Sequence, residues 1–438
     1  MTPYQGEAPQ HASSLISPAV AAEHFLRRLP DPCRLLVAFS GGSDSTGLLS
    51  ALTAACRSYP GVALHSATVD HGLRSGSAAE AETAGETSGR LGVPHSILRW
   101  TGVKPATGLQ AAAREARYSL LASEAIRIGA DFIVSGHTLD DQRETMFMRG
   151  LRSPGAVAGM DAAVLLQRQV WLIRPFLGVG RAAIRAYLCD RSLGWSEDPS
   201  NDNPAFERVR IRQSLALVDG GGPPSSSEED FIGAARFVRD SVRLHAGLVA
   251  TVDLEDFRTD HRLALATLLA VMGGREHGPG AEVAAGLVAR LAVPVDFRTT
   301  ANRVVLDRRG RTLFLYREER GLETRTVMPG ESACWDGRFE IANDGGRPVT
   351  IGAGRALEGS APLQLPGPDD GLPGDVIRRV ALSAPRVIDG DPATLRVRPV
   401  LAPFERFLPG RKLELANSLA TAFQLEQFPL LRLGNGAF

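Results

Sequence analysis

Short apolar runs alternate with longer segments of helical spacing from Cys33 to about Arg212. The apolar runs include RLLVAF, VALHSATVD, HSILRW and DFIVSG, and the segments between them include STGLLSALTAAC and AAAREARYSLLASEAIRI. Strands that alternate with helices in this way indicate βαβ units. The pattern therefore predicts an α/β fold with a doubly wound parallel sheet, whose ligand-binding loops lie at the carboxyl ends of the strands.

The pattern changes after this predicted sheet. Residues 219–230 have the sequence DGGGPPSSSEED, which is typical of a flexible linker. The runs FIGAARFVRDSVRLHAGLV, HRLALATLLAVMGG and AEVAAGLVARLAV then have helical spacing, and VVLDRRGRTLFLYRE predicts two strands around a turn. Farther on, RFEIAND, RPVTIGA and RVRPVLA predict short strands, and LELANSLATAF predicts a final helix.

A chain of 438 residues is longer than one hydrophobic core usually organises, so several domains are expected. We predict the α/β domain, then a mainly helical domain, then a small β-rich C-terminal domain. In chain order, the predicted parts are residues 1–30 (N-terminal extension), 31–217 (α/β domain), 218–230 (linker), 231–320 (middle domain) and 321–438 (C-terminal domain).

Composition disfavours several classes of protein. Apolar residues make up 44% of the chain and charged residues 22%, as in globular proteins. No apolar run is long enough to cross a bilayer, and the start lacks the pattern of a signal peptide. The four cysteines form no CxxC pair, so we expect a reducing cytoplasm and no disulfide framework. Because the formal net charge is zero, any nucleic-acid-binding surface must be local.

The strongest candidate site is a loop between the strand RLLVAF and the following helix. Its residues are Ser40, Gly41, Gly42, Ser43, Asp44 and Ser45. Small residues let backbone N–H groups approach phosphate oxygens at a helix N-terminus, and Asp44 could act through Mg²⁺. The loop lacks the lysine of the GxxxxGK[ST] element, which disfavours kinase-like transfer. The alternative is a strand-to-helix turn that binds no ligand.

The second predicted strand ends in the polar sequence VDHGLR, residues 69–74. Asp70 and His71 would lie at the carboxyl end of that strand, where ligand-binding loops are expected. The alternative for both residues is structural, a turn and its cap.

A later predicted helix carries the sequence AREARY, residues 113–118. The apolar positions of this helix leave Arg114 and Arg117 on neighbouring turns, where both could meet one anionic ligand. A solvated arginine face is the alternative.

The sequence GHTLDDQRET, residues 136–145, follows the strand DFIVSG and opens a helix. Asp140, Asp141 and Glu144 gather around one face of this helix because they are three and four residues apart. Such a cluster suits Mg²⁺ or an ammonium group. The alternative is a set of acids stabilised by the helix dipole.

Further candidate segments follow at RGLRSPGAVAGM (149–160), IRPFL (173–177), WSEDPSN (195–201) and RVRIR (208–212). The last segment contains Arg208, Arg210 and Arg212, which together can hold several phosphates. A surface arginine face is again the alternative.

In this order, the motifs resemble those of the tRNA(Ile)-lysidine synthases, which carry SGGxDS, VDHGLR, ARxxRY, GHxxDDQxET, RPL, WxxDxSN and RNxIR. The match covers about the first half of the chain. Val209 departs from the asparagine of RNxIR. The resemblance implies a Rossmann-like pyrophosphatase-loop ATPase fold, in which ATP is cleaved between its α and β phosphates.

The resemblance also implies a reaction and its partners. ATP with Mg²⁺ would adenylate the 2-oxo group of the wobble cytidine in a tRNA(Ile) with a CAU anticodon, and free L-lysine would then displace AMP. The middle domain would contact the tRNA. A cytoplasmic location and a homodimer are further expectations.

Roles of individual residues follow from the same resemblance. The ATP site would comprise Ser40, Gly41, Gly42, Ser43, Asp44, Ser45, Asp70, His71, Gly136 and His137. Catalytic roles would belong to Asp44, Asp141 and Arg117, with Asp44 also a ligand of Mg²⁺. The substrates would contact Arg114, Arg117, Asp141, Glu144, Arg208, Arg210 and Arg212.

Two alternatives come from other functional classes. A tRNA thiolase or amide-forming synthetase with the same loop would need a catalytic cysteine or a glutaminase domain, and the sequence shows neither in a recognisable motif. A non-catalytic RNA-binding protein that kept the nucleotide fold would retain its cellular role after Asp44→Ala.

Overall fold

The computed structural model describes residues 16–74, 76–102, 104–152, 159–197, 227–353, 363 and 371–434. The chain divides into two compact units, which we call unit 1 (residues 1–225 with 431–438) and unit 2 (residues 226–430). The division between 225 and 226 falls inside the segment with linker composition. No helix in the described ranges is long and apolar enough to span a membrane.

Unit 1 alternates strands and helices. Its strands are β1 (Cys33–Ala38), β2 (Val62–Asp70), β3 (His95–Arg99), β4 (Phe132–Ser135), β5 (Ala163–Leu166) and β6 (Val170–Ile173). Its helices are α1 (Pro18–Leu26), α2 (Ser43–Ala55), α3 (Ser77–Arg90), α4 (Leu109–Ile128), α5 (Leu139–Arg152) and α6 (Arg181–Cys189).

The strands of unit 1 lie in the order β5-β6-β4-β1-β2-β3. All neighbouring pairs are parallel except β5 and β6, which are antiparallel. In the central strand β1, Leu35, Leu36 and Val37 are fully buried, as expected for a strand covered on both faces. The predicted doubly wound parallel sheet is therefore confirmed.

The register of the sheet places three loops on one edge. Ala38, the last residue of β1, pairs with Ala67 of β2 and with Ser135 at the end of β4. The carboxyl ends of β1, β2 and β4 consequently point the same way, and the loops that follow them share the edge at which open α/β sheets bind ligands.

Helix α2 begins at this edge and packs against two other helices. At Gly47, an added Cβ would lie 2.3 Å from Cγ2 of Ile184 in α6, so the glycine permits a close approach of the two helices. Helix α1 packs on α2 and buries Phe25 and Leu26. The described part of the predicted N-terminal extension therefore belongs to the core of unit 1.

Unit 2 contains both helices and sheets. Its helices are α7 (Glu228–Ser241), α8 (Arg262–Met272), α9 (Ala281–Ala292), α10 (Gly374–Val380) and α11 (Leu413–Ala422). Its strands are β7 (Val242–His245), β8 (Val249–Asp253), β9 (Phe297–Ala301), β10 (Val304–Arg309), β11 (Thr312–Arg317), β12 (Arg325–Val327), β13 (Ser332–Trp335), β14 (Phe339–Asn343), β15 (Val349–Gly352), β16 (Arg386–Asp389), β17 (Leu395–Pro399) and β18 (Phe407–Pro409).

The middle region combines the three expected helices, α7 to α9, with a sheet. An antiparallel sheet in the order β7-β8-β11-β10-β9 extends the predicted hairpin β10-β11 by three strands. The run with helical spacing that starts at Phe231 is a helix only as far as Ser241. The residues after it form β7, because a turn with positive φ at Ala246 and Gly247 folds β8 back against that strand. Two further sheets, β12-β15-β16 and β13-β14-β17, follow in the β-rich region.

One hydrophobic core joins these parts of unit 2. Phe314 and Tyr316 of β11 pack in the same cluster as Trp335, Phe339 and Val376 from the C-terminal part. The boundary predicted near residue 320 thus runs through this core, which explains why residues 226–430 form one compact unit.

Candidate active site

The loop from Ser40 to Ser45 has the geometry of a phosphate cradle. Gly41 has a φ of +79°, a conformation that favours glycine, and Gly42 is the N-cap of α2. The Ser45 hydroxyl donates to the Gly42 carbonyl (3.1 Å) and accepts from the Ser40 amide (3.2 Å). These bonds fix the loop while the free amides at the start of α2 remain directed towards it, which is the arrangement that binds anions.

A second segment lies against this loop. The Ser196 amide donates to the Gly41 carbonyl at 2.8 Å. Ser196 belongs to the predicted WSEDPSN motif, of which residues 195–197 are described. The structure therefore brings the start of a late motif to the phosphate cradle.

The turn between β4 and α5 touches the start of α2 through Gly136. A Cβ at Gly136 would lie 2.8 Å from the carbonyl oxygen of Asp44, a distance that no side chain can tolerate without movement. Next to it, Nδ1 of His137 is 2.9 Å from the Ser135 hydroxyl. Two of the predicted ATP-site residues, Gly136 and Asp44, are thus in direct contact.

The first turn of α5 is capped by its own acid. The amide and hydroxyl of Thr138 both donate to Oδ2 of Asp141 at 2.9 Å, and the Asp141 amide donates back to the hydroxyl at 3.3 Å. One carboxylate oxygen of Asp141 therefore stabilises the helix terminus. The other, Oδ1, points away from the cap and is available to a cation.

Arg181, the first residue of α6, links the acids of the two helices. Its Nε donates to Oδ2 of Asp44 (3.0 Å), Nη2 donates to Oδ1 of Asp141 (3.3 Å), and Nη1 lies 3.7 Å from Oε1 of Glu144. The Arg181 amide also donates to Oδ2 of Asp140 at 2.7 Å. One guanidinium thus holds the loop acid and the α5 acids together.

Burial shapes the charges of this cluster. Burial raises the pKa of the Asp44 carboxyl, and the charge of Arg181 opposes that rise. Burial alone would lower the pKa of Arg181, but the charges of Asp44 and Asp141 raise it. The charge of Arg181 therefore favours the ionised form of Asp44, and the two acids in turn favour the charged form of Arg181.

At the end of β2, Asp70 has a structural role. Its Oδ1 accepts the Gly72 amide (2.9 Å), and a hydrogen bond from Ser77 at the start of α3 lowers its pKa. The ring of His71 meets Trp100 edge-on, with centroids 6.1 Å apart. Burial lowers the pKa of His71, and the charge of Arg117 lowers it further, so this imidazole is neutral near pH 7.

The two arginines of the AREARY segment differ in environment. Arg114 is exposed and stacks on Tyr118, with its guanidinium carbon 4.9 Å from the ring centroid. Arg117 is half-buried, and its charge reaches His71. Arg117, a predicted catalytic and substrate-binding residue, thus acts electrostatically on His71, a predicted ATP-site residue.

Comparison with known proteins decides the family. The PP-loop domain family matches residues 18–218. A tRNA(Ile)-lysidine synthase from Rhizobium meliloti is 41% identical, and the match covers 93% of this chain and 95% of the relative. This chain belongs to the tRNA(Ile)-lysidine synthase family. A second tRNA(Ile)-lysidine synthase, from Mesorhizobium japonicum, is 36% identical over 91% of this chain and 94% of its own.

Similarity to a solved structure is weaker. The U34-tRNA thiolase NcsA from Methanococcus maripaludis, with its [4Fe-4S] cluster, matches 48% of this chain and 84% of its own, at 17% sequence identity and a TM-score of 0.36. The assignment to the lysidine synthase family therefore rests on the sequence relatives and the PP-loop domain.

Part of the family's motif set lies outside the described residues. Arg208, Arg210 and Arg212 are there, together with Val209 and the second half of WSEDPSN. Their predicted contacts with tRNA stay predictions.

Arg181 is a further residue of this cluster, outside the predicted motifs. A usable signal exists: Gly180 and Arg181 form the N-cap and first residue of a helix, where the helix dipole disfavours a cation. An arginine at such a position needs nearby anions, and three carboxylates supply them.

Proposed function

We propose that this chain ligates L-lysine to C2 of the wobble cytidine in a tRNA(Ile) with a CAU anticodon, with ATP cleaved to AMP and pyrophosphate. The ligation would change the codon read from AUG to AUA and the tRNA identity from methionine to isoleucine. Family membership supports the proposal. The observation that carries it is the joining of Asp44, in the phosphate cradle, to Asp141 and Glu144 through one guanidinium.

The first step is activation of the tRNA. The 2-oxo oxygen of cytidine attacks the α-phosphorus of ATP, the bond to the β-phosphate oxygen breaks, and pyrophosphate stays in the cradle. Amides at the start of α2 and the Ser40 hydroxyl would bind its oxygens, and the Ser43 hydroxyl would join them on leaving Asp44. Neutral His71 and Trp100, at the end of the neighbouring strands, offer an aromatic surface for adenine.

Asp44 fits the chemistry of a magnesium ligand. Mg²⁺ in nucleotide sites takes one or two carboxylates, with phosphates and water completing its shell. Within the described ranges, no group of three or more His, Cys, Asp or Glu is arranged to hold a metal by itself, so a shared site with ATP is the arrangement that Asp44 supports. A bound Mg²⁺ would neutralise phosphate charge.

The second step is attack by lysine. The ε-ammonium group gives a proton to a neighbouring carboxylate, the free amine bonds to C2, and the C2–O bond breaks so that AMP leaves. Asp141 and Glu144 present Oδ1 and Oε1 to one cation, which is how an ammonium group would be held before it reacts. Arg117, whose charge acts on His71 just after β2, would meet an anionic group of a substrate.

The test is ATP-dependent incorporation of labelled lysine into an unmodified tRNA(Ile) transcript, with tRNA(Met) as the control and AMP and pyrophosphate measured in parallel. We expect lysine in tRNA(Ile) alone and one AMP per lysine. AMP release without lysine transfer contradicts the lysidine assignment, and absence of ATP cleavage favours a non-catalytic RNA-binding protein.

The environments of Cys33 and Cys56 disfavour a role for these two thiols in a thiolase. Cys33 begins β1 at the edge opposite the cradle, and burial raises its pKa to about 12. Burial raises the pKa of Cys56 to about 11. Neither thiol is activated for sulfur transfer. The cytoplasmic location, the homodimer and the contact of the middle region with tRNA stay predictions.

A further inference from the structure

Arg181 neutralises acids that belong to different helices. Its partners are Asp44 at the start of α2, and Asp141 and Glu144 in α5. All four side chains are largely shielded, with exposed fractions of 21% for Arg181, 23% for Asp44, 17% for Asp141 and 3% for Glu144. In such surroundings a missing counter-charge is costly, because attraction between charges is much stronger than in bulk water.

The attachment of Arg181 leaves its side chain able to change partner. Its backbone amide is fixed to Asp140 at 2.7 Å, so the start of α6 is anchored independently of the guanidinium. The guanidinium reaches Asp44 through a single Nε–Oδ2 bond of 3.0 Å. The guanidinium could therefore leave Asp44 without a movement of the start of α6.

Arg181 and a magnesium ion compete for the same carboxylate. Oδ2 of Asp44 accepts from Arg181, and Oδ1 accepts from the Ser43 hydroxyl at 3.1 Å. A divalent cation on Asp44 would repel the guanidinium, whereas the phosphates of an incoming nucleotide would attract it, since arginine binds phosphate oxygens through its planar fork.

We propose that Arg181 is a positioning residue that serves as an internal counter-ion. It holds Asp44, Asp141 and Glu144 while the nucleotide is absent, and it transfers its guanidinium from Asp44 to a phosphate when ATP and Mg²⁺ bind together. Metal alone is thereby kept out of the cluster. This inference rests on the proposed function, because it assumes that the cradle binds ATP.

The test uses the full-length chain and two separate titrations. Calorimetry measures the binding of MgCl₂ without nucleotide, and the binding of ATP in the presence of EDTA. The variants are Arg181→Gln, which removes the charge, and Arg181→Lys, which keeps it. The control is Arg185→Gln, one turn along α6, whose guanidinium is about half exposed and pairs with Glu197 at 3.5 Å.

The two titrations of Arg181→Gln should shift in opposite directions. Mg²⁺ alone should bind at least about tenfold more tightly, because the carboxylates lose a close positive charge. Metal-free ATP should bind at least about tenfold more weakly, because a phosphate loses its charged donor. Arg185→Gln should match the wild type in both titrations.

If Arg181 were merely structural, its loss would weaken the binding of both Mg²⁺ and ATP. Either that result or unchanged affinities for both ligands would overturn the inference. If Arg181→Gln does not fold, Arg181→Lys decides. In Arg181→Lys, the affinity for Mg²⁺ without nucleotide should stay within about threefold of the wild type. The affinity for metal-free ATP should fall several-fold, because lysine lacks the planar fork of arginine. Equal affinities for ATP in this variant and the wild type would then overturn the inference.

Lysine incorporation by the wild type separates the two hypotheses. Incorporation, combined with unchanged Mg²⁺ binding in Arg181→Gln, overturns the role of Arg181 and leaves the proposed function intact. Absence of incorporation, combined with the opposite shifts, contradicts the proposed substrates and supports the role of Arg181.

Discussion

Asp44 belongs both to the phosphate cradle and to the acid cluster around Arg181. It lies in the first turn of α2, accepts a hydrogen bond from Ser43 and pairs with Arg181 at 3.0 Å. Burial nevertheless raises its pKa, so the folded chain keeps this carboxylate charged at some cost. A buried carboxylate that lowers the stability of the fold and lies beside a phosphate cradle is typical of a functional site.

Replacement of Asp44 by asparagine should abolish ATP cleavage without unfolding the chain. We expect the rate of pyrophosphate release to fall at least about 100-fold, the loss typical when a fixed electrostatic group is removed from an active site. Asp190→Asn, at an exposed acid just after α6, is the matched control and should retain full activity. A rate within a few-fold of the wild type for Asp44→Asn would exclude Asp44 from the reaction.

The same substitution should have a pH-dependent effect on stability. Because the pKa of Asp44 is higher in the folded chain than in the unfolded one, ionisation destabilises the fold as pH rises above the ordinary carboxyl pKa of about 3.9. Asp44→Asn should therefore have a higher Tm than the wild type at pH 8, and the difference should shrink as pH falls towards 4. A lower Tm for Asp44→Asn at pH 8 would contradict this, because it would show that the ion pair with Arg181 stabilises the fold more than burial of the Asp44 charge destabilises it.

At the scale of elements, the apolar runs of unit 1 predicted the sheet because its central strands β1 and β4 are buried on both faces. The same pattern did not reveal β7, β8 and β9 in unit 2. These strands are short, and β8 is held by β11, which is distant in sequence. Pairing of this kind is decided by tertiary contacts and leaves little local pattern.

The residues of the candidate site also differ in whether the local sequence predicts them. Its loop, the VDHGLR segment and the acids of α5 were predictable, since each follows a strand and the carboxyl ends of parallel strands share an edge. The partners of Arg181 were not predictable, because its contacts with Asp44 and Glu144 depend on how α6 packs against α2 through Gly47 and Ile184. The sequence can indicate an arginine at a helix start that needs anions, but it does not show which acids the packing brings to it.

The junction between α2 and the β4–α5 turn should be sensitive to one methyl group. Gly136→Ala places a Cβ 2.8 Å from the Asp44 carbonyl oxygen, so backbone must shift, and we expect a loss of about 1–3 kcal/mol in the free energy of unfolding and weaker ATP binding. Gly150→Ala in α5 meets no atom within 4 Å and should be neutral or slightly stabilising. Equal urea midpoints for the two variants would refute this account of the junction.

At the scale of the whole molecule, each unit has its own core. The core of unit 2 spans the predicted boundary near residue 320, with Phe314 on one side and Phe339 on the other. Residues 231–320 should therefore not fold without the C-terminal part.

Truncation of a central side chain tests this. Phe339 is fully buried, and Phe339→Ala should reduce the free energy of unfolding of unit 2 by about 3–5 kcal/mol. ATP binding should stay unchanged, because the cradle belongs to unit 1. Fluorescence-monitored urea unfolding gives the first quantity and calorimetry the second. A parallel loss of ATP affinity at temperatures where the variant is folded would contradict the independence of the two cores.

The central claim is that the phosphate cradle and the acid cluster together transfer lysine to the wobble cytidine. Mass spectrometry of nucleosides from tRNA(Ile) incubated with ATP, Mg²⁺ and lysine tests it most directly, with the wild type and Asp44→Asn compared. We predict that the wild type converts the wobble cytidine to its lysine adduct and that Asp44→Asn leaves cytidine. Unmodified cytidine after incubation with active, ATP-cleaving wild type would contradict the claim.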